Sequence, residues 1–206
     1  MKGKAKTQLE PREIIGKKVL ILGEVGSGKT SLTAKAVQDL ALFIEPEEMT
    51  VIDMAPEAIG EIGGKLSNHL SLSSKVRYVS PAKVYAPRTM GTTNPQVVEY
   101  AKRNKNAIEL LLNDFLENPT KALIINDVTL YLHFGKLEKI IDCVRLADTF
   151  LASAYYGVRL RKDYGTGISD REKQVVKKLG THMNRVVKLK TPIRSFKRSL
   201  EASKHS

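Results

Sequence analysis

The 206-residue sequence has no apolar run approaching the ~18–20 residues that cross a bilayer, so no membrane span is expected. Its opening, MKGKAKTQLEPREIIGKK, is basic and lacks the apolar segment of a secretory signal. There is one cysteine, Cys143, which excludes an intramolecular disulfide. With no export signal, a reducing cytoplasm is the expected compartment. No Cys/His cluster has metal-ligand spacing, so no zinc site is expected, and His133 in LYLHFG reads as structural. No repeat period is visible. Acid is in short supply: 34 Lys and Arg face 22 Asp and Glu, a formal charge of +12. A surplus of that size suits an anionic partner, whether nucleotide, nucleic acid or a charged surface.

What the chain does have is a regular alternation of short apolar runs and amphipathic segments. The runs at 17–23, 49–54, 75–80, 121–127, 149–157 and 185–190 have strand length and β-branched character. Helical periodicity marks 28–42, a segment opened by Asn94-Pro95 and closed near Asn118-Pro119, and a stretch through Leu137, Ile140, Ile141 and Val144. Ser169 and Glu172 have the spacing of a capping box ahead of Val175, Val176 and Leu179, with Gly180 as the stop. Alternation of this kind predicts a three-layer α/β/α sandwich around a mostly parallel sheet. The expected organisation is a basic segment at 1–16, one α/β domain at 17–190, and a basic tail at 191–206. In such sheets ligands bind at the carboxyl ends of the strands, so chemistry is expected just after each run.

The first run supplies it. Gly23-Glu24-Val25-Gly26-Ser27-Gly28-Lys29-Thr30 fits G-x-x-x-x-G-K-[ST] at every position, and Ser31 follows. A loop that wraps a phosphate with its N–H groups inward needs residues tolerant of positive φ, hence the glycines. The helix behind it points its positive end at the same anion. Lys29 is expected to neutralise β- and γ-phosphates and to face solvent when none is bound. The Thr30 hydroxyl is expected to reach Mg²⁺. By this motif the chain resembles the P-loop NTPases, and the loop is similar to their Walker A motif.

That resemblance implies a Walker B carboxylate at the end of an apolar strand, and Asp127 in ALIIND is the expected residue. Asp53, ending TVID, is its rival for the metal. The GTPase signatures N-K-x-D and D-x-x-G are missing, so ATP with Mg²⁺ is the expected ligand pair. The order of strands resembles the additional-strand ATPases of RecA and FtsK–HerA type. Many of those carry a glutamate after the Walker B aspartate, whereas this chain has Val128. Glu57 is the leading substitute as catalytic base, with Glu61 and Glu24 behind it.

The segment GVRLRKDYGTGISDREK brings Arg159 and Arg161 after the fifth run, among three glycines. Arginine there suits transition-state charge, either across a subunit interface of a homo-oligomer or as a kinase lid. Arg88 is a third arginine of this kind, and Tyr155 and Tyr156 end a strand beside the expected site. Three readings follow: an oligomeric nucleic-acid-associated ATPase, a small P-loop kinase acting on a metabolite or nucleotide, and a nucleotide-gated regulator with little hydrolysis.

The tail bears on the first of these. Arg194, Lys197, Arg198 and Lys204 can neutralise up to about four phosphates. Removal of residues 192–206 is expected to weaken DNA or RNA binding and to flatten the log–log salt slope by as much as roughly 3–4. Equal slopes for the full-length and shortened proteins, measured by salt titration of binding, would make the tail a solvated end.

Overall fold

A computed structural model describes residues 9–58, 64–160 and 162–190. Glu61, Arg161 and the tail 191–206 lie outside the described residues. Six strands form one sheet: β1 (Lys18–Gly23), β2 (Met49–Asp53), β3 (Arg77–Val79), β4 (Ala122–Asn126), β5 (Thr149–Tyr155) and β6 (Arg185–Leu189). Their order is β3-β2-β4-β5-β1-β6, and every pairing is parallel. β1, β2, β4 and β5 therefore read as unbroken apolar runs, because a strand covered on both faces has no polar side to show.

The two faces are covered by different elements. Val19 and Ile21 of β1, Val51 and Ile124 turn to the face of helix α1 (Lys29–Leu40), where Ala34, Ala36, Val37 and Leu40 are buried. Leu20, Leu22, Ile52 and Leu123 turn to the other face. That face is covered by α3 (Asn94–Glu117), α4 (Thr129–Leu132), α5 (Leu137–Leu146) and α6 (Ile168–Gly180), while a short helix, α2 (Pro87–Met90), precedes α3. The expected sandwich is thus present, with one broad core on each side of the sheet.

Four local expectations need revision. Leu9 and Ile14 are buried with the α1-face core, so residues 9–16 belong to the folded unit and do not stand apart as a basic segment. Thr93 occupies the N-cap position of helix α3, with no capping bond from its side chain, and Asn94 is already helical. Helix α6 starts at Ile168 after Gly167, whose φ of 74° is left-handed, so Ser169 and Glu172 lie inside the helix and make no capping box. Helix α4 was not expected: all four of its residues are buried, and a turn buried all round shows no amphipathic period.

Asn104, on the buried face of α3, holds the approach to α2. Its amide donates to the Tyr85 carbonyl and accepts from the Tyr85 N–H, both at 2.9 Å. Two neutral hydrogen bonds to one residue fix a loop backbone that no sheet supports.

Cys143, on α5, is fully buried, and that burial pushes its thiol up to about 12. Thiolate is the reactive form, so native protein at neutral pH is expected to resist alkylation and to label once unfolded. Prompt native labelling by a thiol reagent would contradict this packing.

Candidate nucleotide-binding site

β1 ends at Gly23, and the chain turns through Gly26 (φ 70°) and Gly28 (φ 88°) before α1 begins at Lys29. Both angles are left-handed, which explains why glycine stands there. At Gly23 the demand is space: a Cβ would overlap the Ser27 hydroxyl. The first turn of α1 has N–H groups with no intrahelical acceptor. It opens on a cavity of about 300 Å³ lined by Val25 to Ser31 on one side. Lys29 does not face solvent as expected. Its ammonium folds back to donate to the carbonyls of Gly23 (3.0 Å) and Glu24 (2.8 Å). Burial pushes its amine below the usual lysine range, against the attraction of Asp127, Glu24 and Glu172.

Glu24 fastens the loop to the segment after β5. Its carboxylate accepts from the N–H groups of Val25 (2.9 Å), Val158 (2.7 Å) and Arg159 (3.1 Å). Burial opposes the ionised form, yet these donors outweigh it and hold the carboxyl below its ordinary range. A Cβ at Gly157 would displace that carboxylate from its present position.

Across the cavity lies Asp127, one residue past β4, at φ 59°. Its N–H donates to the Ser153 hydroxyl at 2.9 Å, and one carboxylate oxygen accepts from the Thr129 hydroxyl. Burial pushes its carboxyl above the usual range, with Thr129 and Lys29 pulling the other way. β5 lies between β1 and β4, so Ser153 and Tyr155 sit between the loop and the acid. The glycine-bound loop, the helix behind it and an acid two strands away complete the pattern.

The chain has the P-loop NTPase fold.

Within that fold Asp53 and Asp127 part company. The Asp53 carboxylate takes four donors: Ala55 N–H, Leu66 N–H, the Tyr78 hydroxyl and the Asn126 amide. It is fully buried and saturated, so the expectation that it rivals Asp127 for a metal is not met. Asp127 has a carboxylate oxygen that takes no protein donor among the described residues. With the Thr30 hydroxyl lining the same cavity, the pair is an oxygen donor set that fits a hard divalent cation such as Mg²⁺.

A third wall is made of charge. Arg88, on α2, grips Glu172 of α6 with two hydrogen bonds of 3.0 and 2.8 Å, and both side chains are almost wholly buried. His133 closes on the same carboxylate, with Nε2 2.7 Å from Glu172 Oε2. Lys29 and Arg88 stand 5.9 and 5.1 Å from the centroid of the Tyr155 ring, and burial pushes its hydroxyl up to about 12.

The structure therefore brings Val25–Ser31, Asp127 and Arg88 to one cavity, while Gly23 and Glu24 stand behind its lining. Glu57 is exposed and is not among the residues lining it. Arg159 is fixed near the P loop through its backbone. Glu172, Thr129 and Ser153 were not expected at the site. Only the S-x-x-E spacing drew attention to Glu172, and it suggested a cap.

No family model matches this sequence, and no curated protein matches it. Among solved structures the chain is similar to the Pif1 helicase of Candida albicans. The identity is 14% and the TM-score 0.38, over 84% of this chain and 36% of that one. It is also similar to the flagellar accessory protein FlaH of Methanocaldococcus jannaschii, at 12% identity and TM-score 0.44, over 85% and 71%. The chain spans only about a third of the helicase's length. Likeness at this level extends to the fold alone.

The two aspartates are expected to behave oppositely when nucleotide-free protein is unfolded by denaturant. A carboxyl raised in the folded state is penalised as pH climbs from its unfolded value to its folded one, and the penalty is absent below both. Asp127→Asn should therefore keep or raise stability at neutral pH and lose that advantage in acid. Asp53→Ala strands four buried donors and should cost on the order of 3 kcal/mol. The reverse order would mean that the wrong acid has been read as structural.

Proposed function

We propose that this protein binds a nucleoside triphosphate with Mg²⁺, ATP by preference, and hydrolyses its β–γ anhydride. The observation that carries the reading is the P loop itself. Its left-handed glycines and the first turn of α1 open on a cavity that also holds an under-coordinated acid, Asp127.

The roles follow from position. Lys29 exchanges the carbonyls of Gly23 and Glu24 for the β- and γ-phosphate oxygens, which are stronger acceptors for an ammonium. Backbone N–H groups from Val25 to Ser31 surround the phosphates. Thr30 and Asp127 would hold the metal ion, which would supply neutralisation of phosphate charge. Arg88 borders the cavity but is committed to Glu172, so it contributes field more than contact. The strand inserted between β1 and β4 supports an additional-strand ATPase, and the charge of +12 supports work on nucleic acid. In that reading the unit is a homo-oligomer, with Arg159 and Arg161 reaching a neighbour's nucleotide.

A second cavity favours the kinase as runner-up. It adjoins the first across Arg88 and Tyr155 and is lined by Tyr156, Asp163, Asp170 and Lys173, polar enough for a small phosphate acceptor. The nucleotide-gated regulator draws only on Val128, which is buried where a glutamate often stands.

Lys29→Ala is expected to weaken triphosphate binding by about tenfold to a hundredfold, the worth of a charged hydrogen bond of ~1.5–3 kcal/mol. Calorimetric titration, with circular dichroism to check folding, measures it. Unchanged affinity removes the P-loop reading. γ-Phosphate release is then compared with and without DNA: stimulation supports the nucleic-acid ATPase, and turnover only with a small acceptor supports the kinase.

A further inference from the structure

Hydrolysis needs a group to take a proton from the attacking water, and the usual position offers none. Val128 follows Asp127 and is packed into the core. Glu57 is exposed and off the cavity lining. His133, by contrast, lines the cavity beside Asp127 and Thr129.

His133 has no solvent exposure, and its two ring nitrogens are treated differently. Nε2 meets Glu172 Oε2 at 2.7 Å. Both Glu172 oxygens also accept from the Arg88 guanidinium, and a carboxylate in such an ion pair is an acceptor only. Nε2 must then carry the ring proton, which leaves Nδ1 with a bare lone pair. Nδ1 is buried and takes no partner among the described residues. A histidine kept for packing normally has both nitrogens satisfied, because an unmet buried polar atom costs ~1–3 kcal/mol.

The ring is also held in place. His133 N–H donates to the Thr129 carbonyl at 3.1 Å. Arg171 grips the backbone on both sides of it, through the carbonyls of Leu132 (3.3 Å) and Gly135 (2.9 Å). A carboxylate that fixes the tautomer of a cavity-lining histidine and leaves its other nitrogen unpartnered is the logic of an activated base.

We propose that His133 and Glu172 form a carboxylate–histidine dyad in which Nδ1 of His133 accepts the proton of the water that attacks the γ-phosphate. The inference rests on the triphosphate hydrolysis proposed above. The water oxygen forms the new bond to the γ-phosphorus. The bond from that phosphorus to the β–γ bridging oxygen breaks, and its electron pair leaves on the nucleoside diphosphate. One water proton passes to Nδ1, and the imidazolium formed is stabilised by Glu172 and by Asp127. The ring then returns its proton to the departing inorganic phosphate. Glu172 is a positioning residue, and Arg88 holds it. The charged groups around the ring are Glu172, Arg88 behind it, Asp127 and, through Asp127, Lys29.

Two measurements on the full chain test the dyad. The first needs no nucleotide: nitrogen NMR of histidine-labelled protein, with the His133 signal assigned by its loss in His133→Asn. The expected result is a ring protonated at Nε2 and bare at Nδ1, with that preference lost in Glu172→Gln. A ring protonated at Nδ1 overturns the proposal whether or not the variants fold. The second is steady-state hydrolysis alongside triphosphate titration. His133→Asn should bind like wild type and lose about 10²-fold or more in kcat, the usual worth of a general base. In His133→Ala, added imidazole should restore part of the rate. Wild-type kcat in His133→Asn overturns the dyad while leaving the nucleotide reading intact. That broader reading fails separately, if Lys29→Ala binds triphosphate normally.

Discussion

A partly buried ammonium organises this molecule. The charge of Lys29 is drawn partly out of water at the end of β1, where an uncompensated cation is costly. The protein answers it in two ways. Two P-loop carbonyls supply acceptors at hydrogen-bond distance, and three acids, Asp127, Glu24 and Glu172, supply field. The acids come from three parts of the chain, so the loop after β1, the end of β4 and α6 all meet around one nitrogen. Arg88 then offsets Glu172, and Thr129 offsets Asp127. The depressed lysine and the raised aspartate are two sides of the same burial.

The strand ends beneath the cavity are tied by a polar row. Asp53 accepts from Asn126, Asn126 accepts from Ser153, and Ser153 accepts from the Asp127 N–H. The row crosses β2, β4 and β5 at their carboxyl edges. It fixes the backbone that carries Asp127 without using the Asp127 carboxylate, which stays available. Lys65 extends the row outward, its buried amine donating to the Asp53 carbonyl (3.4 Å) and the Ser80 hydroxyl (2.5 Å).

Much of this was legible in the sequence, for a definite reason. The P loop is a demand on the backbone, so Gly26, Gly28 and Lys29 carry it in their identities. The inner strands declare themselves because burial on both faces leaves no room for polar residues. What escaped was set by tertiary partners. Glu172 has the spacing of a cap, but its partners, Arg88 and His133, are 84 and 39 residues away in the chain. Asp53 and Asp127 look alike as acids ending apolar runs; only the donors arriving from Leu66 and Tyr78 separate them. Leu9 and Ile14 are isolated apolar residues in a basic stretch, and no local pattern says that they fill a pocket under α1.

The Glu24 carboxylate has one further implication. It binds its own loop through Val25 and a distant segment through Val158 and Arg159, so the two share a single latch. Order in either is thermodynamically linked to order in the other. Whatever immobilises the chain after β5, whether a neighbouring subunit or an acceptor lodged beside Tyr156, must also stiffen the mouth that receives phosphate. By the same reciprocity, an anion seated against Gly26 and Gly28 reduces the freedom of the Arg159 backbone. The grip on nucleotide and the posture of that arginine are thus one degree of freedom, set by a side chain that belongs to neither the glycines nor the lysine of the motif.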